Sequence, residues 1–323
     1  MERTICVYLE YLTDELRRKI ADTAGRCGFS VRFCGSPEDA RAALPSCEVL
    51  FAHSPELVRA APAALRWYCC AFAGVDPYCR GDGIFKNPDC ILTNSAGAYG
   101  VTVAEHIVTA ALMLLRRMPE YAEIVRRRDW ENDLPIRSLW GSRITVLGAG
   151  DIGSAFARRA RAFQPAAITG VSRSGKAREP VFDTVVPMDR LDGVLPETEL
   201  LVMALPSTAS TVGIMSRERI ALLPRRAVVI NVGRGTALDQ DALAEALNSG
   251  ALAGAALDVM TPEPLPKDHP LWETRNLLLT PHVAGNMTLG YTCRRTVELF
   301  CENLERYAAG RPMSHVVDRT RGY

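Results

Sequence analysis

The feature that most constrains the fold of this chain is a strand-like run that passes through three glycines into a helix-like stretch. Residues 143–147 have the pattern of a buried strand, and Gly148, Gly150 and Gly153 follow with the spacing G-x-G-x-x-G. The first glycine permits a tight turn, the second lets backbone N–H groups approach a pyrophosphate, and the third allows close packing of helix and strand. The segment predicts a dinucleotide-binding unit, and a purely structural glycine turn is the alternative interpretation.

Three segments in the C-terminal half each place one ionisable side chain at the end of an apolar run. They are N-V-G-R-G with Arg234, L-D-V-M-T-P-E-P with Glu263, and T-P-H-V-A-G with His282. Parallel α/β proteins keep their chemistry at the carboxyl ends of strands. An arginine for a carboxylate, a glutamate to orient an imidazole and a histidine to move a proton would together serve a 2-keto acid reductase. Taken singly, each has an ordinary interpretation as a surface or loop residue.

Further motifs match one family. They are Ala73-Gly74-Val75-Asp76, Val103-Ala104-Glu105-His106 and Leu205-Pro206-Ser207-Thr208, and the three C-terminal segments follow them. With these motifs the chain resembles the D-isomer-specific 2-hydroxyacid dehydrogenase family, which includes glyoxylate/hydroxypyruvate reductases, D-lactate, phosphoglycerate and formate dehydrogenases, and the C-terminal-binding-protein corepressors. The ending V-V-D-R-T-R-G-Y is similar to that of short bacterial glyoxylate/hydroxypyruvate reductases.

The resemblance assigns roles to particular residues. His282 would donate the proton, Glu263 would hold its other ring nitrogen, and Arg234 would bind the substrate. Backbone amides of Ala73 and Gly74 would hold the substrate carboxylate. The cofactor contacts that it implies are Thr102, Gly148, Gly150, Asp151, Ile152, Gly153, Ser172, Arg173, Ser174, Leu205, Pro206, Thr211, Val232, Gly233, Asp258 and Gly285, with Asp258 on the nicotinamide amide.

One position bears on the type of cofactor. NAD-binding units carry an Asp or Glu about 20 residues past the glycines, where it bonds the ribose 2′-hydroxyl. Here that position holds Arg173, flanked by Ser172 and Ser174 and followed by Lys176, and the first carboxylate after it is Glu179. A guanidinium binds a 2′-phosphate that a carboxylate would repel. We therefore expect NADP(H), with NAD(H) as the alternative, and a solvated basic loop as the purely structural interpretation.

The pattern of strands and helices predicts two α/β domains. Strand-like runs lie at 3–9, 29–33, 48–52, 66–72 and 90–93, and again at 143–147, 166–172, 199–204, 227–231, 253–258 and 276–280. A helical stretch at 101–128, interrupted near Pro119, and a final helix at 287–309 would link the two groups. We expect two Rossmann-like, doubly wound parallel-sheet domains: a discontinuous, flavodoxin-like substrate-binding domain, 1–96 plus 284–323, and an inserted NAD(P)-binding domain, 97–283.

The cysteines indicate the same division. Eight of the ten lie between Cys6 and Cys90, the other two are Cys293 and Cys301, and residues 91–292 contain none. Such a border is expected if the C-terminus returns to the first domain. No C-x-x-C spacing occurs, so we expect no metal site and buried, reduced thiols.

Composition excludes some partners. The net charge is +1 and 23% of residues are charged, which argues against nucleic acid or an anionic membrane surface. Glu10 and Asp14 interrupt any N-terminal apolar segment, so we expect a cytoplasmic protein. The resemblance implies a homodimer formed through the cofactor domain. The domain division predicts an active site in the cleft between the two domains. We interpret His106, which lies on a helix, as a packing or interface residue.

Two function classes stay open from the sequence. The first is an NADPH-dependent reductase of small 2-keto acids such as glyoxylate or hydroxypyruvate, which makes the D-2-hydroxy acid. The second is a nucleotide-sensing binding protein without significant turnover, as in the corepressor branch, where residues similar to Arg234, Glu263 and His282 are retained.

Overall fold

The computed structural model describes residues 3–79 and 83–322. These residues divide into two compact units. Unit 1 comprises the described residues up to Tyr99 and from Met287 onward, and unit 2 runs from Gly100 to Asn286. The sequence-based borders lay after residues 96 and 283. The substrate and cofactor roles of the two units remain predictions.

Unit 1 alternates short strands and helices. Its elements are β1 (Arg3–Tyr8), α1 (Asp14–Arg26), β2 (Phe29–Phe33), α2 (Pro37–Ala43), β3 (Cys47–Ala52), α3 (Pro55–Ala60), β4 (Trp67–Cys70), α4 (Asp76–Cys79), β5 (Ile91–Thr93) and the C-terminal helix Gly290–Ala308. Ser and Thr residues cap the first three helices: Thr13, Ser36 and Ser54 each accept a bond from a first-turn N–H. All five described strands pair in parallel, in the order β2-β1-β3-β4-β5.

The C-terminal helix belongs to unit 1 because it supplies part of that unit's core. Phe300 stacks on Phe51 of β3 with ring centroids 4.2 Å apart, and on Trp67 of β4 at 5.3 Å. Cys293 and Cys301 lie on the same helix, so all ten cysteines fall in this unit, all as free thiols.

Unit 2 carries the second parallel sheet. Its elements are α5 (Gly100–Leu115), α6 (Met118–Arg126), β6 (Arg143–Leu147), α7 (Asp151–Ala160), β7 (Ala167–Ser172), β8 (Thr184–Pro187), α8 (Leu191–Val194), β9 (Leu200–Met203), α9 (Arg217–Ala221), β10 (Val228–Asn231), α10 (Gln240–Asn248), β11 (Gly254–Leu257) and β12 (Leu277–Leu279), which leaves α11 for Gly290–Ala308 of unit 1. The described strands run in the order β12-β11-β10-β9-β6-β7-β8. The interior strands β9, β10 and β11 are fully buried, as expected where helices cover both faces.

Both strand orders match known doubly wound sheets. Unit 1 has the flavodoxin-like order 2-1-3-4-5, and unit 2 has the Rossmann order 3-2-1-4-5-6 extended by one edge strand. The predicted fold class is therefore confirmed. Two details differ from the sequence expectation. The helical stretch breaks at Arg117, which has φ 56°, and Pro119 lies in the first turn of α6. The edge strand β8 was not predicted.

Two features that bear on other functions are absent from the described residues. No helix there is long and apolar enough to cross a membrane. In the same residues, no group of three or more His, Cys, Asp or Glu side chains is arranged to hold a metal ion.

Candidate active site

The three candidate segments follow three neighbouring strands. Arg234 comes after β10, Glu263 after β11 and His282 after β12, and these strands are adjacent in the sheet. Because all three strands are parallel, their carboxyl ends lie along one edge. The topology thus brings together residues that are far apart in sequence.

His282 and Glu263 form a hydrogen-bonded pair. Nδ1 of His282 lies 2.7 Å from Oε2 of Glu263. The second oxygen of Glu263, Oε1, accepts the backbone N–H of Met260 at 2.8 Å, which fixes the plane of the carboxylate. The imidazole side chain is 50% exposed. Because Nδ1 contacts the carboxylate, Nε2 is the ring nitrogen able to exchange a proton with a substrate.

The loop that carries His282 is anchored by a buried carboxylate. Asp258, 2% exposed, accepts the backbone N–H of Val283 on Oδ1 and that of Ala284 on Oδ2, each at 2.9 Å. The Thr280 hydroxyl donates to Oδ1 at 2.6 Å. His282 itself has φ 54°, in the left-handed region that non-glycine residues rarely adopt. Asp258 therefore holds both flanks of a strained residue in place.

The turn that presents Arg234 is shaped by Asn231. This side chain, fully buried at the end of β10, donates from Nδ2 to the Arg234 carbonyl at 2.9 Å. Its Oδ1 accepts the Gly233 N–H at 3.0 Å. The Arg234 guanidinium donates from Nη1 to the Gly233 carbonyl at 2.7 Å. One amide side chain thus satisfies two backbone groups of the turn, as buried polar groups require.

Two glycines bring this turn against its neighbours. A Cβ at Gly233 would lie 2.6 Å from the Leu205 carbonyl oxygen, and a Cβ at Gly235 would overlap the Met260 backbone. Met260 is the residue whose N–H binds Glu263. The Arg234 turn, the Glu263 turn and the loop after β9 therefore pack backbone to backbone.

The glycine-rich turn after β6 has the shape that a dinucleotide requires. Gly148 has φ 106°, and a Cβ there would meet the Ala204 carbonyl oxygen at 2.6 Å. A Cβ at Gly153 would overlap the Gly148 carbonyl oxygen, so helix α7 packs tightly on the turn. Only Gly150 among the three has open space beside it, and it precedes α7 without a side-chain cap. These residues fit a pyrophosphate placed against the first turn of α7.

The loop after β7 is basic and ordered by Ser172. The Ser172 hydroxyl donates to the Lys176 carbonyl at 2.8 Å and accepts the Lys176 N–H at 3.0 Å, which closes a turn. Arg173, Ser174 and Lys176 on this turn are exposed. The carboxylate of Glu179 forms an ion pair with Arg158 of α7. The loop therefore presents cations where NAD-binding units present an acid.

Other predicted cofactor residues lie around the same edge. Thr211 closes the loop after β9, because its hydroxyl donates to the Pro206 carbonyl at 2.6 Å and accepts the Thr208 N–H at 2.8 Å. The Thr102 hydroxyl donates to the Ala284 carbonyl at 3.3 Å. The burial of the remaining ones varies: Leu205 and Val232 are buried, and Asp151, Ile152 and Gly285 are partly buried.

In unit 1, the Ala73-Gly74 loop follows β4. Asn94 donates from Nδ2 to the Ala73 carbonyl at 2.7 Å and so fixes the loop. Across the described residues, neither the Ala73 nor the Gly74 N–H donates to a protein acceptor.

Burial raises the pKa of the neighbouring Cys70 thiol to about 12, so this cysteine stays protonated and is no nucleophile.

Sequence reasoning missed three residues of this site. Asn231 shapes the Arg234 turn, and a polar residue at the end of a buried strand was the available signal. Arg178 lies beside the glycine turn: its N–H donates to the Ala149 carbonyl at 3.1 Å, and its guanidinium is 3.7 Å from the Asp151 carboxylate. His106, interpreted as a packing or interface residue, has Nε2 3.3 Å from the Thr280 hydroxyl.

Known proteins have sequences similar to this chain. Residues 108–284 match the model of the D-isomer specific 2-hydroxyacid dehydrogenase NAD-binding domain. Glyoxylate/hydroxypyruvate reductase A of Salmonella newport is 32% identical over 69% of this chain and 70% of its own length.

Two solved structures are similar along their whole length. A D-isomer specific 2-hydroxyacid dehydrogenase family protein of Aeromonas salmonicida has a TM-score of 0.86 and 30% identity, and the match covers 99% of this chain and all of that one. The NADPH-dependent glyoxylate/hydroxypyruvate reductase of Sinorhizobium meliloti, solved with NADP and sulfate, has a TM-score of 0.82 and 28% identity over the full length of both chains.

Proposed function

The chain belongs to the D-isomer-specific 2-hydroxyacid dehydrogenase family, and from that premise we propose that it is an NADP(H)-dependent reductase of small 2-keto acids. The substrates are of the size of glyoxylate or hydroxypyruvate, and the product is the D-2-hydroxy acid. The observation that carries the proposal is the His282–Glu263 pair, 2.7 Å apart, beside the turn of Arg234.

The three side chains have complementary tasks. When a 2-keto acid is reduced, negative charge builds on the carbonyl oxygen and an acid must supply a proton there. Nε2 of His282 supplies it, while Glu263 holds Nδ1 and stabilises the imidazolium. Arg234 binds the substrate carboxylate or carbonyl through its planar guanidinium and so orients the carbon that is reduced. When bound, NADPH would supply the hydride.

The cofactor is held by unit 2. Gly150 leaves open space for the pyrophosphate at the first turn of α7, while Gly148 and Gly153 let the turn pack closely on its neighbours. The 2′-phosphate is bound by Arg173 with help from Ser174 and Lys176, while Ser172 shapes their turn. The relative from Sinorhizobium meliloti, which carries NADP, supports this choice over NAD.

The experiment that tests the proposal is a panel of 2-keto acids assayed with NADPH and with NADH. We expect turnover of glyoxylate or hydroxypyruvate with NADPH and formation of the D-2-hydroxy acid where the product is chiral. Tight NADPH binding without turnover of any keto acid would contradict the proposal and indicate a nucleotide-sensing protein instead.

Arg234→Lys tests how the substrate is anchored. The lysine keeps the charge but loses the planar, bidentate geometry, so we expect kcat/KM to fall by about 10- to 150-fold, the equivalent of one charge-assisted hydrogen bond. Steady-state kinetics of the variant measure this. Arg217→Lys, which changes an arginine paired with Glu245 on the surface, is the matched control. Unchanged kinetics in Arg234→Lys would mean that the guanidinium only shapes its turn.

We further propose a homodimer formed through unit 2. Large apolar side chains are exposed along and after α6: Trp130 is 93% exposed, and Met118, Val125, Ile136 and Trp140 are also exposed. Such a set is costly to leave in water and suits contact with a second copy. Light scattering should give twice the 35.3 kDa chain mass, and Trp130→Asp should shift it toward the monomer. A monomeric native protein at micromolar concentration would contradict this.

A further inference from the structure

Beneath the His282 loop, a histidine, a threonine and an aspartate lie in a row. Nε2 of His106 is 3.3 Å from Oγ1 of Thr280, which is 2.6 Å from Oδ1 of Asp258. His106 comes from helix α5, whereas Asp258 follows β11 and Thr280 follows β12 just before His282. We propose that His106 is a positioning residue for proton transfer, acting through Thr280 and Asp258 on the backbone that presents His282. The inference rests on the proposed reductase function.

The direction of each hydrogen bond follows from the chemistry of the groups. The Asp258 carboxylate only accepts, so the Thr280 hydroxyl donates its single proton to Oδ1. The Thr280 oxygen is then an acceptor toward His106, which must carry a proton on Nε2. The opposite neutral tautomer would set two lone pairs against each other. Two hydrogen bonds in series, here called the relay, therefore run from the His106 N–H through the Thr280 hydroxyl to Asp258. They fix the tautomer of His106.

The relay reaches the His282 loop through backbone amides. Oδ1 of Asp258 also accepts the Val283 N–H, and Oδ2 accepts the Ala284 N–H. These two amides lie immediately after His282. Because Thr280 holds the Asp258 carboxylate in one orientation, the carboxylate in turn holds these two backbone amides in place. Because His282 has a left-handed φ of 54°, its loop keeps that shape only where its surroundings over-determine it.

Helix α5 contacts the loop at a second point. Thr102 and His106 are four residues apart and so share one face of the helix. The Thr102 hydroxyl donates to the Ala284 carbonyl at 3.3 Å, while His106 binds Thr280. The helix thus holds the loop before and after His282. Nε2 of His106 lies 3.9 Å from Oδ1 of Asp258, beyond hydrogen-bonding distance, so the Thr280 hydroxyl is the group that connects the two.

The experiment compares His106→Leu, His106→Gln and Thr280→Val in the full-length protein. His106→Leu should lower kcat about 10-fold and change KM less than about twofold, because it loosens the proton donor without touching the substrate. His106→Gln retains a donor near the Nε2 position and should restore most of the turnover. Thr198→Val, which removes a buried hydroxyl bonded to Thr145 elsewhere in unit 2, is the matched control and should keep native kinetics.

A double-mutant cycle separates the relay from simple loss of packing. If His106 acts only through Thr280, then His106→Leu combined with Thr280→Val should lower kcat no further than Thr280→Val alone. Hydrogen exchange provides a readout besides activity: the Val283 and Ala284 amides should exchange faster in His106→Leu and at the native rate in Thr198→Val. Additive losses of kcat, or unchanged exchange of both amides, would overturn the inference.

A measurement on the native protein covers the case in which a variant fails to fold. Nitrogen-15 NMR of the histidine rings should show the neutral His106 protonated on Nε2, and a proton on Nδ1 would overturn the relay. If the native protein turns over no keto acid, the proposed function fails, while the tautomer and the amide exchange still decide whether the relay exists.

Discussion

His282→Asn is expected to lower kcat by roughly 10²- to 10⁴-fold, the usual contribution of a positioned general acid. Asparagine can still bond Glu263, so the loop should keep its shape, but no group then delivers a proton to the substrate oxygen. Binding of NADPH should stay within about twofold of native, because the residues proposed to bind the pyrophosphate and the 2′-phosphate lie on the glycine turn and the β7 loop. Steady-state kinetics and a fluorescence titration of NADPH measure the two effects.

A matched control comes from another histidine of unit 2. His269 accepts the Leu271 N–H on Nδ1 and caps a short turn, as an asparagine can also do. His269→Asn should therefore leave kcat unchanged. If His282→Asn retained near-native turnover, a different residue would have to be the proton donor.

Arg173→Asp is expected to reverse the choice of cofactor. The native protein should prefer NADPH over NADH by about 10- to 150-fold in kcat/KM, since a charge-assisted bond to the 2′-phosphate is worth on the order of 1.5–3 kcal/mol. An aspartate repels the phosphate and accepts a bond from the ribose 2′-hydroxyl of NADH. The loop suits this exchange, because Ser172 and Lys176 hold its turn independently of residue 173.

The control makes the same change of charge at Arg143, which lies at the amino ends of the strands, opposite the carboxyl ends that carry the candidate site. Arg143 begins β6 and pairs with the exposed Glu197 at 3.1 Å. Arg143→Asp should leave the ratio of the two cofactors as in the native protein. Equal use of NADPH and NADH by the native protein would show that Arg173 does not contact the 2′-phosphate.

Most of the fold could be predicted because buried parallel strands are continuous apolar runs. Strands β6 and β10 illustrate this, since the predicted 143–147 and 227–231 agree with Arg143–Leu147 and Val228–Asn231. Strand β8 was not predicted because it is a short edge strand that is only partly buried and ends in a proline. The helix break was expected near Pro119, but proline is tolerated in a first helical turn, so α6 begins at Met118.

The candidate site was predictable only where residues stand in a motif. Glu263 and His282 were paired in advance on the resemblance to a family, and the structure places them in contact. Arg178 stands outside every motif, and the motifs that contain Asn231 and His106 do not show what these two side chains contact. The Thr280 hydroxyl that contacts His106, for example, lies 174 residues away in the sequence. The catalytic and cofactor roles of the predicted site residues are tested by the experiments described above.

The glycines at 233 and 235 have a consequence for protein engineering. Because backbone meets backbone at Leu205 and at Met260, the Arg234 turn cannot be exchanged without its neighbours. A loop grafted from a relative with a different substrate would fit only if the segments after β9, β10 and β11 were transplanted together. Changes of specificity in this scaffold are therefore better sought at side chains that face the substrate than by swapping single loops.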